Sequence, residues 1–189
     1  MARLHTQRGV TLIELMVVTT ILGILGAVAA PSFLDFIARN RIDAAANDAL
    51  TSVNYARSEA IKRGTIVALC RSTNGTSCAT TGDWEQGWIA FVDGNASGTV
   101  DGGEAVLQRW QALPQGYTLR GSTTVSASVR YNARGLANAS GHWIVCRNSA
   151  TAGAKAIVFT TTRPRMATDS NNDRIPENDT GNNFTTCTP

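Results

Sequence analysis

The chain has 189 residues, with 17 Lys and Arg against 14 Asp and Glu, a formal net charge of +3 and four cysteines. Without its apolar N-terminal stretch it leaves roughly 155 residues, the size of one domain. Arg3 and Arg8 fall in the first nine residues, so the remainder is closer still to neutral; this excludes a globally basic nucleic-acid binder, and any such role must rest on a local patch.

The first element is an apolar run from Val10 to Ala30, preceded by the basic residues Arg3, His5 and Arg8. At about 20 residues it can cross a bilayer as a helix, and the basic flank predicts leader-in, C-terminus-out topology. One carboxylate, Glu14, lies inside this run. An acid there costs roughly 2.5–3.5 kcal/mol on insertion scales, so it needs a partner cation. A cut after Gly9 would supply one, a free amine on Val10 four residues from Glu14. In a low-dielectric bundle such a pair could register an incoming subunit or act only within one chain. Two other readings of the segment exist: a secretory signal cleaved at Ala27-Val28-Ala29, and an uncleaved membrane anchor. Neither gives Glu14 a reason.

Helical periodicity continues past the apolar run. Ile42, Ala46, Ala49, Leu50, Val53, Ala56 and Ala60 form one stripe, opposite Arg41, Asp48, Asn54, Arg57 and Lys62. Gly64 is a C-terminal stop, so one helix, bent near Pro31, is expected from Thr11 to Arg63, about 80 Å long. Its first half suits lipid or a bundle of like helices; its second suits packing under a sheet. Beyond Gly64 the period changes. Short β-branched and aromatic segments at 65–71, 87–92, 105–111, 117–120, 125–131, 142–147 and 154–160 predict antiparallel strands, giving an α+β fold. Trp84, Trp88, Trp110 and Trp143 are expected to pack on the sheet. Residues 168–186 read as a polar loop pinned by Cys187.

Cys70, Cys78, Cys146 and Cys187 all follow the apolar run, and an even count in an exported domain predicts two disulfides. Three connectivities exist. The favoured one joins Cys70 to Cys78 around Asn74-Gly75 and Cys146 to Cys187, tying down the tail. Zinc is disfavoured, because there is no C-x-x-C spacing and His142 is the one histidine after the leader. His142 has no Ser or Asp partner by motif, and neither a phosphate loop nor a nucleophile elbow is present, so no catalytic residue or cofactor is assigned.

Two further constellations stand out. Asp93, Asn95, Ser97, Gly98, Asp101 and Glu104 follow the spacing of an EF-hand calcium loop, with glycine sixth and an acid twelfth. Strands flank it in place of helices, and a Gly/Asp-rich hairpin explains the same residues without metal, so no metal ligand is assigned. Asp169-x-Asn171-x-Asp173 is a weaker echo. Arg163-Pro164-Arg165 follows an apolar strand; alternate residues of an extended segment point the same way, so both guanidiniums could meet a phosphate backbone. Arg147, Lys155 and Arg174 are candidate extensions of that patch. The competing reading is a solvated strand end.

Gly9-Val10-Thr11-Leu12-Ile13-Glu14-Leu15 after a basic leader resembles the processing signature of type IV pilins and type II secretion pseudopilins. The segments Ala56–Gly64, Trp84-Glu85-Gln86-Gly87-Trp88 through Asp93, Glu104 and Val106-Leu107 resemble the FimT/FimU minor pilins and GspH pseudopilins, and Gly135-Leu136, Gly141 and Cys146 fit more loosely. The resemblance implies a type IV pilin-like fold with a long N-terminal helix packed against an antiparallel sheet domain. It implies cleavage by prepilin peptidase between Gly9 and Val10, N-methylation of Val10, and a role for Glu14 in assembly; Val10 stands where phenylalanine is usual. The expected segments are a leader at 1–9, a transmembrane segment at 10–30, an amphipathic continuation at 31–64 and a β-rich domain at 65–189. The expected product is a minor pilin at or near the filament tip, anchored in the bacterial inner membrane with its C-terminal domain in the periplasm and partnered by other pilins. A GspH-type subunit of type II secretion and a calcium-stabilised adhesive module are the alternatives. In the FimT case the resemblance also implies binding of double-stranded DNA during uptake. Arg163 and Arg165 are similar to its Gly-Arg-x-Arg element, with Thr162 replacing the glycine and Pro164 intervening.

Overall fold

The computed structural model describes residues 9–178 and 180–187, apart from the side chain of Pro31. The basic leader residues Arg3, His5 and Arg8 lie outside the described residues. The chain divides into two units, Met1–Arg39 and Asn40–Pro189.

Helix α1 runs without a break from Leu12 to Arg63, through Pro31. Thr11 starts it: its Oγ1 accepts from the Glu14 amide at 3.3 Å, as in a capping box with glutamate at the third helical position. In the first unit the side chains from Leu12 to Ala30 and from Ser32 to Phe36 are exposed on every side, Leu12 by 77% and Phe33 by 63%. Thr19 and Thr20 return their hydroxyls to the carbonyls of Leu15 and Met16, at 2.9 and 2.7 Å, so these polar groups are satisfied within the helix. Gly64 ends α1 at φ +65°, which lets the Thr65 amide reach back to the Ala60 carbonyl at 3.3 Å.

The second unit holds the last part of α1 and eight strands. They are β1 (Val67–Arg71), β2 (Trp88–Val92), β3 (Val106–Trp110), β4 (Tyr117–Gly121), β5 (Ser128–Tyr131), β6 (Gly141–Arg147), β7 (Ala150–Phe159) and β8 (Pro164–Met166). They form two four-stranded sheets, in the orders β3-β2-β1-β5 and β4-β6-β7-β8. All pairings are antiparallel. The helix contributes Ile42, Ala45, Ala46, Ala49, Val53, Ala56 and Ala60, all buried, to one core shared with both sheets. The small alanines leave room there for the large aromatics. Trp84 and Trp143 stand 4.2 Å apart, and Phe159 meets Trp143 edge-on at 5.0 Å. Both indole nitrogens donate to the Val125 carbonyl, at 3.1 and 3.4 Å, which satisfies two buried N–H groups.

The central strands of both sheets are buried on both faces. In β1 and β2, Val67, Leu69, Trp88 and Ala90 face the main core, while Ala68, Cys70, Ile89 and Phe91 form a second cluster with Cys78, Val100 and Val106. In the other sheet, Ile144, Cys146, Ala154, Ala156 and Val158 are covered by Phe184 and Cys187 of the tail. Of the three connectivities open to the four cysteines, the structure holds Cys70–Cys78 and Cys146–Cys187. Each disulfide therefore clamps a non-regular segment over the outer face of one sheet.

The strands differ from expectation in three places. Val125 ends a 3-10 turn, Thr123–Val125, where Trp84 and Trp143 need its carbonyl, so β5 starts later, at Ser128. β7 starts earlier, at Ala150, because Asn148 and Ser149 both take positive φ, 50° and 60°, and make a two-residue hairpin to β6. β8 was not anticipated: Pro164 removes a donor, which an edge strand tolerates.

Candidate functional site

Three places carry functional candidates. At the start of α1, Gly9 and Val10 are exposed residues outside the helix, ahead of the Thr11 cap. Glu14 sits in the first turn of a helix whose surrounding side chains are apolar and exposed. A carboxylate near a helix N-terminus is favoured by the helix dipole, and Val10 stands four residues before it, just outside the helix. The helix contains an apolar window of mean hydropathy 2.3, long enough to cross a membrane, and none of that window is buried within the chain.

Arg163 and Arg165 are brought to one end of the β7–β8 hairpin. Arg163 is exposed in a turn where its amide donates to Thr160 Oγ1 at 3.2 Å. Arg165 is half-buried on β8, opposite Val158, which is itself opposite His142, and its Nη1 donates to the Met166 carbonyl at 3.4 Å. The proposed extensions of this patch do not assemble. Lys155 shares the strand face of Ile157 and Phe159 and pairs with Asp43 of α1 at 3.5 Å. Arg174 lies beside Gly153, bonded through its carbonyl at 2.7 Å, and Arg147 at the opposite end of β6. Five residues of strand separate both from the level of Arg165, about 16 Å. Alternation along one strand cannot reveal that a second sheet face or strand end intervenes. His142 packs its ring on Phe184 at 4.6 Å, and burial pulls its pKa below the usual imidazole value.

The third place is the connection from β2 to β3. Asp93 is fully buried and its Oδ2 accepts from the Gly98 amide at 3.1 Å. Asn95 Nδ2 and Ser97 Oγ both donate to Asp101 Oδ2, at 2.8 and 2.7 Å. Glu104 receives the Gly94 amide at 2.9 Å and the Asp101 amide at 3.0 Å. Burial raises the Asp93 pKa, opposed by the amides of Gly98 and Ser97; the nearby charge of Glu104 adds to the rise and that of Arg130 offsets it. Asp101 is shifted down by the donors Asn95 and Ser97. Among the described residues, no three acidic, cysteine or histidine side chains are grouped so as to hold a metal by themselves.

Sequence reasoning missed a brace between the sheets. The 3-10 turn Trp84–Gln86 precedes β2, yet Asp83 and Glu85 both pair with Arg120 of β4, the second at 2.7 Å, and the Glu85 carbonyl accepts from Leu113 at 2.8 Å. The signal available was two acids flanking a tryptophan, with their partner 35 residues away.

The fold is similar to the solved structure of the type IV minor pilin FimU of Pseudomonas aeruginosa, with a TM-score of 0.60 at 18% identity over 80% of this chain and 98% of that one. Among sequences, the pilin-like protein PilA1 of Thermus thermophilus is 40% identical over 101 residues, 52% of this chain and 56% of that protein. The fimbrial protein EcpC of Eikenella corrodens is 51% identical over 43 residues, 23% of this chain and 28% of that protein. The chain thus spans about half the length of the first curated relative and about a quarter of the second. Residues 4–30 match the prokaryotic N-terminal methylation motif. A capped apolar helix carrying this motif, continued under an antiparallel double sheet, defines the class as a minor pilin or pseudopilin, a structural subunit of a type IV pilus or a type II secretion system. The chain belongs to the family of the type II transport protein GspH, which matches residues 45–162.

Proposed function

We propose that the chain is a minor pilin at or near the tip of a type IV filament, processed by prepilin peptidase between Gly9 and Val10 and held in the inner membrane before assembly. The observation that carries this reading is Glu14, a single carboxylate in a helix start whose apolar side chains are exposed all round. Those side chains need lipid or neighbouring helices, and in either medium Glu14 needs a cation. The amine of Val10, freed by cleavage and retaining its charge when N-methylated, supplies one from the same chain or the next. The motif match over residues 4–30 supports the processing step, and the sequence likeness to the pilin-like protein PilA1 supports a pilus subunit. The β domain then offers contacts to other pilins. Mass spectrometry of the native protein tests this: a chain beginning at Val10 is expected, and any other start overturns it. Loss of surface pili with intact protein secretion on gene deletion is the expected phenotype; the reverse assigns the chain to type II secretion.

A second role, contact with double-stranded DNA, draws on Arg163 and Arg165 at the tip of the β7–β8 hairpin. With Arg147, Lys155 and Arg174 set apart from them, the contact would be small and sensitive to salt. Equal duplex binding by the wild type and an Arg163→Ala/Arg165→Ala variant removes it.

A further inference from the structure

We propose that the β2–β3 connection is a calcium site, formed by Asp93, Asn95, Ser97, the Thr99 carbonyl, Asp101 and Glu104, and that the ion fastens this loop onto the outer face of the first sheet. The spacing supplies oxygen donors at positions one, three, five, seven, nine and twelve, with Gly98 sixth at φ +78°. Spacing alone is weak, because a glycine-rich hairpin would share it. The buried carboxylate of Asp93 separates the two readings. Its Oδ2 is engaged by the Gly98 amide, which turns the carboxyl group toward the loop; its Oδ1 is buried with no hydrogen-bond partner. A hairpin needs only the first of these contacts, which asparagine or serine could make. Leaving a charged oxygen unsatisfied carries a penalty that a cation would remove.

The neighbouring contacts do not satisfy that oxygen. Arg130 reaches the loop, but its Nη1 donates to the Ala96 carbonyl. The remaining donor positions are already drawn toward one another. Asn95 and Ser97 meet on Asp101, and Glu104 folds back to the Gly94 amide. Because the carboxylates do not gather by themselves, the amide, hydroxyl and carbonyl oxygens are needed to complete the shell. An all-oxygen set on a flexible loop suits calcium better than magnesium or a transition metal. The flanking elements are strands, so the ion would clamp a hairpin and not open a helix pair. Val100, within the loop, packs with Ile89 and Phe91, so the clamp would hold an apolar cover in place.

The test uses the full-length protein in detergent, stripped with EDTA and titrated with calcium chloride by calorimetry, with Tm measured in EDTA, calcium and magnesium. One saturable site with a Kd of about 10⁻⁴–10⁻³ M is expected, the range of extracellular modules. At tenfold excess over Kd, Tm should rise by about 3–6 °C. Asp101→Asn and Glu104→Gln should each weaken binding at least tenfold while leaving Tm in EDTA near the wild-type value. If Glu104→Gln unfolds, Asp101→Asn, altered at an exposed side chain, carries the test. No saturable binding overturns the proposal. So does an equal calcium response in Asp101→Asn, which would place the ion elsewhere, or an equal Tm rise in magnesium.

Discussion

Removing the Cys146–Cys187 disulfide should destabilise the β domain more than removing Cys70–Cys78. The first joins residues 41 apart in sequence and the second residues 8 apart. In the chain-entropy model these loops correspond to about 4 and about 2.5 kcal/mol at 25 °C. The difference, about 1.5 kcal/mol, is roughly tenfold in the folding equilibrium. Packing acts in the same direction, since Cys187 anchors the tail whose Phe184 covers Ile144, Ala156 and Val158. The assay is urea unfolding of Cys146→Ala/Cys187→Ala and Cys70→Ala/Cys78→Ala, followed by tryptophan fluorescence; Trp84, Trp88 and Trp143 are fully buried and report loss of the core. Equal losses, or a larger loss for the short loop, would refute the ranking. A loss under about 1 kcal/mol for the long loop would show that tail packing alone holds the cover and that the tether adds little.

Two smaller perturbations probe the core and the tail. A methyl group at Gly121 would lie 2.6 Å from the Val125 carbonyl and 3.1 Å from the Trp143 ring, so Gly121→Ala should cost about 1–3 kcal/mol, read as a lower urea midpoint; an unchanged midpoint would mean the 3-10 turn yields easily. Burial lowers the His142 pKa in the folded state, so on acidification the unfolded chain takes the proton first. The His142 contribution is complete above the unfolded value of about 6.5 and is lost progressively as pH falls through it toward the lower folded value. Stability should therefore drop as pH falls below about 6.5 in the wild type and less in His142→Gln. An identical slope in the variant would assign the drop to other groups.

The helix was legible because its two signals are local. A stripe of alanines at three- and four-residue steps can serve only one face, and Gly64 can adopt the positive φ that ends it. Most strands were legible for the same reason. Their division between two sheets was not. Val67–Cys70 and Trp88–Phe91 are buried on both faces, so they read as continuous apolar runs without an inside or an outside. The tail reads as a polar loop because the side chains it adds to the apolar cluster, Phe184 and Cys187, stand among many polar neighbours. The Arg163-Pro164-Arg165 motif was visible, but its surroundings depend on which strand lies beside β7. Likewise the loop spacing of Asp93–Glu104 was plain, whereas the orphaned Oδ1 of Asp93 exists only once β2 is placed in its sheet.

Two roles are open to Glu14, and its position alone does not separate them. Thr11 caps the helix through the Glu14 amide, and a glutamate side chain at this position can complete a capping box within one chain. Registration of a neighbour needs a charge. Glutamine at the third helical position preserves a capping box, since it offers the same reach and an acceptor oxygen, but it carries no charge to meet an amine. Glu14→Gln should thus leave export and helix content intact while reducing incorporation into filaments. Breaking a buried pair by removing one partner costs about 3–5 kcal/mol, on the order of a hundred- to several-thousandfold in subunit affinity. The readout is the ratio of sheared-filament to membrane-bound protein. Thr11→Ala is the converse variant: it removes the cap and keeps the charge, at a cost of about 1 kcal/mol to the helix start, and should still assemble. Were Glu14→Gln to assemble normally while Thr11→Ala failed, position 14 would serve only to start the helix and the charge-pairing account of assembly would be wrong.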